Sequence, residues 1–128
     1  MTYIKIFAIA LGIFFAIDMV WLTLIAKNLY AKFLADFMGP VKWIPAIIFY
    51  LLFVVGLTFF VIEPAVTRES LVYAIFAGMF FGFITYATYD LTNLATLKNW
   101  PWQITLIDLA WGSSLGAIVS TITFLIVR

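Results

Sequence analysis

The chain has 128 residues, 66% hydrophobic, 20% aromatic and only 10% charged, with a formal net charge of +1. A soluble domain carries about a quarter of its residues as charges, so this composition and a mean hydropathy of +1.18 exclude a soluble globule. With no Cys and no His, disulfides, iron–sulfur clusters, histidine-ligated haem and thiolate or imidazole zinc sites are excluded. The few positive charges are scattered and form no basic patch for nucleic acid.

The apolar residues fall in four blocks, about 4–26, 44–62, 71–97 and 104–127. Each reaches the ~20 residues that cross a hydrocarbon core as a helix. The blocks predict one domain over residues 1–128, an all-α antiparallel four-helix transmembrane bundle. The first, Ile4–Ala26, is longer than a signal-peptide core and is followed by no small-x-small site, so it is expected to stay in the mature protein. After it, Leu29, Tyr30, Phe33, Leu34, Phe37 and Met38 recur at helical spacing while Lys27, Lys32 and Asp36 lie off that stripe. That pattern predicts a short interfacial helix in the headgroup plane, ended by Gly39-Pro40, with Trp43 at the water boundary. The second block has no charge between Ile44 and Ile62 and reads as packing scaffold, closed by Glu63-Pro64. Ala65–Ser70 is a short polar turn with solvated Arg68 and Glu69. Lys98-Asn99-Trp100-Pro101-Trp102 joins the last two blocks as a tight hairpin, Pro suiting a first helical turn and the paired Trp an interface. Both termini fall on one side. Lys5, Arg68 and Arg128 on that side oppose Lys27, Lys32, Lys42 and Lys98, too even a division for the positive-inside rule to assign an orientation.

Three acids lie inside apolar blocks: Asp18, Asp90 and Asp108. A charged carboxylate there costs at least ~2.5–3.5 kcal/mol, so such groups face the bundle interior, find a partner or hold a proton. At 1.5 Å per residue, Asp18 stands about 21 Å, and Asp90 and Asp108 about 28 Å, from the face bearing the termini. The three therefore share a leaflet and can form one site. Helical phase places Gly78, Gly82, Tyr86, Tyr89, Asp90 and Asn93 within an arc of roughly 120°, flanked by Thr85, Thr88, Thr92 and Thr96. Lipid cannot satisfy so polar a face, which makes the third helix the centre of the bundle. On the fourth, Asp108, Gly112 and Gly116 share a face with Trp111 one step round. The pairs Gly78-x-x-x-Gly82 and Gly112-x-x-x-Gly116 permit the two helices to approach closely. Ile17-Asp18-Met19-Val20-Trp21 and Ile107-Asp108-Leu109-Ala110-Trp111 echo one another on oppositely directed helices, a weak form of the inverted repeat found in transporters.

The run Gly82-Phe83-Ile84-Thr85-Tyr86-Ala87-Thr88-Tyr89-Asp90-Leu91-Thr92-Asn93-Leu94-Ala95-Thr96, with Trp100-Pro101-Trp102 and Asp108-Leu109-Ala110-Trp111-Gly112, closely resembles the predicted bacterial membrane proteins catalogued as domain of unknown function 2177. Asp18-x-x-Trp21-Leu22, Phe49-Tyr50 and Glu63-Pro64-Ala65 also look like that family's pattern, so the resemblance covers nearly the whole chain. It implies a multi-pass protein of the bacterial inner membrane, and no particular activity.

The expected function is binding or transport of a small molecule or lipid in the bilayer, at a pocket of Asp18, Trp21, Tyr86, Tyr89, Asp90, Asn93, Asp108 and Trp111. Tyr86, Tyr89 and Asn93 would orient the ligand, and Trp21 and Trp111 would form apolar walls. Exchange of protons at a membrane carboxylate for a cationic substrate is one form this could take, and four helices are few enough that transport implies a homodimer or larger assembly. The alternatives are an accessory subunit docking on a larger membrane complex and, last, a lipid- or isoprenoid-modifying enzyme, against which stands the lack of an activated nucleophile. No cofactor, metal ligand or catalytic residue is assigned.

Overall fold

A computed structural model describes residues 2–34 and 42–128, and they are helical almost throughout. The elements are α1 (Thr2–Val20), a widened turn of π-helix (Trp21–Ala26), α2 (Lys27–Phe33), α3 (Trp43–Leu57), a second widened turn (Thr58–Ile62), α4 (Glu63–Thr67), α5 (Leu71–Thr96) and α6 (Trp102–Val127). They make four continuous helical stretches long and apolar enough to cross a membrane: Tyr3–Phe33, Trp43–Thr67, Leu71–Thr96 and Trp102–Val127. At 1.5 Å per residue these run to about 38–46 Å, more than a hydrocarbon core of about 30 Å requires. No strand occurs among the described residues.

The apolar surface is inverted relative to a soluble protein. Val72, Phe76, Phe80 and Phe83 along α5 point outward and are 42–65% exposed, which is tolerable only where lipid is the solvent. Inside, Ile6, Ala10, Phe14, Val54, Leu57, Leu115 and Val119 are fully buried and pack as one core.

Two boundaries differ from the expectation. The segment after the first span is helical, but it continues α1 without a break: Ala26 and Lys27 keep right-handed helical angles, and the helix stops only at Leu34, whose amide bonds the Tyr30 carbonyl at 2.7 Å. The expectations placed on Asp36, Phe37, Met38 and Gly39-Pro40 lie outside the described residues. Glu63-Pro64 does not close the second span, because the helix runs on through α4 to Thr67. Pro64 has no amide hydrogen to give the Phe60 carbonyl, yet that carbonyl is not orphaned: the Tyr73 hydroxyl donates to it at 3.0 Å. A proline need not end a helix when a neighbour supplies the missing donor. The chain then reverses at Glu69, in the left-handed region at φ 51°, with the Ser70 amide bonded to the Ala65 carbonyl at 2.9 Å. This satisfies the last carbonyls of α4, and the Ser70 side chain accepts from the Tyr73 amide to start α5.

The closest helix pair is α5 with α6, and glycine sets it. A Cβ added at Gly82 would stand 1.9 Å from the Gly112 carbonyl oxygen, and one at Gly116 2.1 Å from the Gly78 carbonyl oxygen. Both obstacles are backbone, which cannot rotate away. Gly12 has nothing within 4 Å of the same position. We therefore expect Gly82→Ala and Gly116→Ala each to lower stability by about 1–3 kcal/mol through overpacking, while Gly12→Ala is neutral or slightly stabilising. Unfolding of the purified variants in detergent measures this, and a Gly82→Ala protein as stable as the parent would contradict the α5–α6 contact.

Candidate functional site

At the end of the bundle where α2 finishes, α3 begins and the α5–α6 hairpin turns, the helices enclose a cavity of about 550 Å³. Each of the four stretches reaches it. The first contributes Tyr30 and Leu34, the second Ala46, Phe49 and Tyr50, the third Thr85, Tyr86 and Tyr89, and the fourth Asp108, with Trp100 from the hairpin. Phe49 and Tyr89 are 40% and 58% exposed, so their rings form the rim.

Tyr30 arrives there because of the widened turn. Buried positions in the first helix run Ile6, Ala10, Phe14, Asp18, Trp21, in steps of three or four, and then jump five to Ala26. In an unbroken α-helix Tyr30 would sit about 120° around from Asp18, and the extra residue of a π turn takes back about 100° of that. Tyr30 thus joins the Asp18 face, and its hydroxyl donates to Asp108 Oδ1, tying the first helix to the fourth across the cavity wall.

Asp108 is 5% exposed and Asp18 4%. Asp18 lies beside the Tyr50 hydroxyl, and Tyr86 stands within electrostatic reach of both Asp18 and Asp108. The phenols of Tyr30, Tyr50 and Tyr86 therefore line up between two carboxyl groups supplied by different helices. Edge-to-face ring contacts brace the wall: Phe49 with Tyr86 at 6.2 Å and Tyr89 with Trp100 at 5.9 Å between centroids.

Asp18 and the remaining expected site residues lie against the lining side chains without lining the cavity themselves. Asp90 is fully buried, its carboxyl paired with that of Asp108, and among the described residues no other group bonds its side-chain oxygens. It lies against α6, where Thr105 Oγ1 is 3.5 Å from the Asp90 carbonyl and accepts from the Trp100 indole at 3.1 Å. Asn93 is half-buried next to Tyr89 and off the lining. Trp21 and Trp111 stack on each other, centroids 4.4 Å apart and planes within 8°. They border a separate shallow apolar groove with Ala16, Ile17, Val20 and Ile25, so they are not walls of the larger cavity. Five lining residues beyond the expected set carry polar or aromatic chemistry: Tyr30, Phe49, Tyr50, Thr85 and Trp100. Tyr50 had a signal in the sequence, one of only two hydroxyls, with Thr58, in an otherwise apolar second span.

Chemically the site offers carboxyl groups, phenols and ring faces. Among the described residues no three His, Cys, Asp or Glu side chains come together as a metal site. The Tyr30–Asp108 bond joins residues 78 positions apart, and interhelical bonds of this kind contribute about 1–2 kcal/mol at best. Tyr30→Phe and Asp108→Leu should each lose about that much, and the double variant should lose less than the sum. Thr23→Ala, which removes an exposed bond to the Met19 carbonyl, should stay within about 0.5 kcal/mol of the parent. A double-mutant cycle in detergent reads these values, and strict additivity would contradict the bond.

No curated protein and no solved structure matches the chain. A family model described as a predicted membrane protein (DUF2177) matches residues 3–125, which includes every residue of the cavity. The chain therefore belongs to the DUF2177 family of predicted membrane proteins.

Proposed function

We propose that the chain is a small-molecule-binding protein of the bacterial cytoplasmic membrane, with the ligand seated in the aromatic cavity against Asp108. The observation that carries this reading is the cavity itself. A volume of about 550 Å³ falls within the range of about 300–1,000 Å³ typical of ligand sites, which are mostly apolar with a few convergent polar groups. A purely structural polar cluster would close on itself, because packed helices gain more from contact than from a void. Here instead Tyr30, Tyr50, Tyr86 and Tyr89 all border open space. The site sits towards one end of the bundle, so a ligand reaches it without crossing the packed core. Asp108 is the group best placed to exchange a proton when a ligand arrives.

The native chain has no Cys, so single cysteines report accessibility without background. Ala46→Cys and Thr85→Cys line the cavity, whereas Leu52→Cys would stand on the outer apolar face, where Leu52 is 64% exposed. The cysteine thiolate, a form that exists where water reaches the sulfur, attacks the methanethiosulfonate, forming a disulfide and expelling methanesulfinate. Labelling with neutral methyl methanethiosulfonate should be at least about tenfold faster at positions 46 and 85 than at 52. If both cavity positions react no faster than position 52, the site is not open to solutes and the binding reading fails.

A further inference from the structure

The wall chemistry restricts what such a ligand can be. Among the described residues, six of the ten that line the cavity are aromatic, namely Tyr30, Phe49, Tyr50, Tyr86, Tyr89 and Trp100, the one ionisable group besides the phenols is the Asp108 carboxyl, and no Lys or Arg takes part. The lysines described at that end of the bundle, Lys27, Lys32, Lys42 and Lys98, are all exposed. Asp108 receives a hydrogen bond from a neutral phenol, and the group packed beside it is a second acid, the fully buried Asp90. Negative charge at this place has no cationic side chain to match it.

We infer that the cavity takes an organic cation, a protonated or quaternary amine carrying apolar substituents, held by tyrosine and tryptophan ring faces and the Asp108 carboxylate. This rests on the pocket reading above and names the ligand class. An anion would be repelled by the carboxylate, which weakly polarisable surroundings leave poorly screened. A neutral hydrocarbon would fill the rings' space and leave the carboxylate unsolvated. A bare metal ion would need several oxygen ligands, and ring faces supply none. An amine with apolar substituents meets both wall types, since the negative face of an aromatic ring attracts cations and a carboxylate completes the cage.

Phenyltrimethylammonium and tert-butylbenzene have the same shape and differ in charge, which makes them the probes. In the full-length Thr85→Cys protein, the cation should slow methyl methanethiosulfonate labelling at a free concentration at least about tenfold lower than the neutral isostere needs, a ratio set by ring-cation and carboxylate attraction. Asp108→Asn keeps an oxygen for the Tyr30 hydroxyl and removes the charge, so it should abolish that ratio, with protection read against this variant's own rate without probe. Should that variant fail to fold, Phe49→Leu at the exposed rim removes a ring face and should weaken protection by the cation severalfold more than protection by the isostere, so that the ratio narrows. Equal protection by both probes, protection by tert-butylbenzene alone, or no protection of a reactive Thr85→Cys would each overturn the cation assignment while the pocket stands. A Thr85→Cys and an Ala46→Cys that both resist labelling would remove the pocket and the assignment together.

Discussion

Hydrocarbon offers no hydrogen bonds, and this one property of the solvent organises the whole molecule. Every polar atom carried into the spans must find its partner inside the protein or border a cavity. The Tyr73 hydroxyl therefore reaches back to the carbonyl that Pro64 leaves without an α-helical donor, Thr85, Thr88 and Thr96 fold their hydroxyls onto carbonyls of the preceding turn, and Tyr30 crosses from one helix to another to meet Asp108. The same constraint sends phenylalanines outward. Some of these groups are answered within their own helix, and Tyr73 and Tyr30 find their partners on another.

Two widened turns and two pairs of glycines convert that constraint into a shape. The glycines bring the α5 and α6 backbones into contact along the part of the bundle that holds Gly78, Gly82, Gly112 and Gly116. Further along the same pair, Tyr86, Tyr89 and Trp100 are too large for such an approach, and space opens among them. In the first helix the π turn at Trp21–Ala26 costs the regular bond pattern and gains a change of phase. Widened turns of this kind recur at functional sites because they re-aim a side chain without breaking the helix. Without it Tyr30 would face away from Asp108, and the cavity would lose its tie between the first and fourth helices.

Much of the architecture was legible because composition carries it. Four long apolar blocks and a Trp-Pro-Trp hairpin are signals that survive without knowledge of packing. The glycine pairs were equally readable, since only close backbone approach explains two small-residue motifs on adjoining helices. Tyr30 was misread as part of a headgroup stripe because a uniform period of 3.6 residues was assumed through a segment that departs from it. Pro64 was misread as a stop because its missing hydrogen is visible in the sequence while the donor that compensates, Tyr73, is nine residues away. Asp90 and Asn93 share an arc with Tyr86 and Tyr89, but an arc of 120° is too coarse to separate facing a cavity from facing a neighbouring helix. Stacking of Trp21 on Trp111 depends on the relative height of two helices, a quantity that no single-helix pattern contains.

The shape bears on how the proposed ligand would be handled. From the cavity towards the termini, Phe14, Val54, Leu57, Leu115 and Val119 are fully or almost fully buried and packed together with Ile6 and Ala10. A path through the monomer would have to part this core, and with it the α5–α6 backbone contact that Gly82 and Gly112 make. Interiors packed at crystal-like density do not yield gradually. One helix pair would have to move as a body. Passage across the bilayer would require a second copy, whose outer apolar faces would have to supply the missing half of the route.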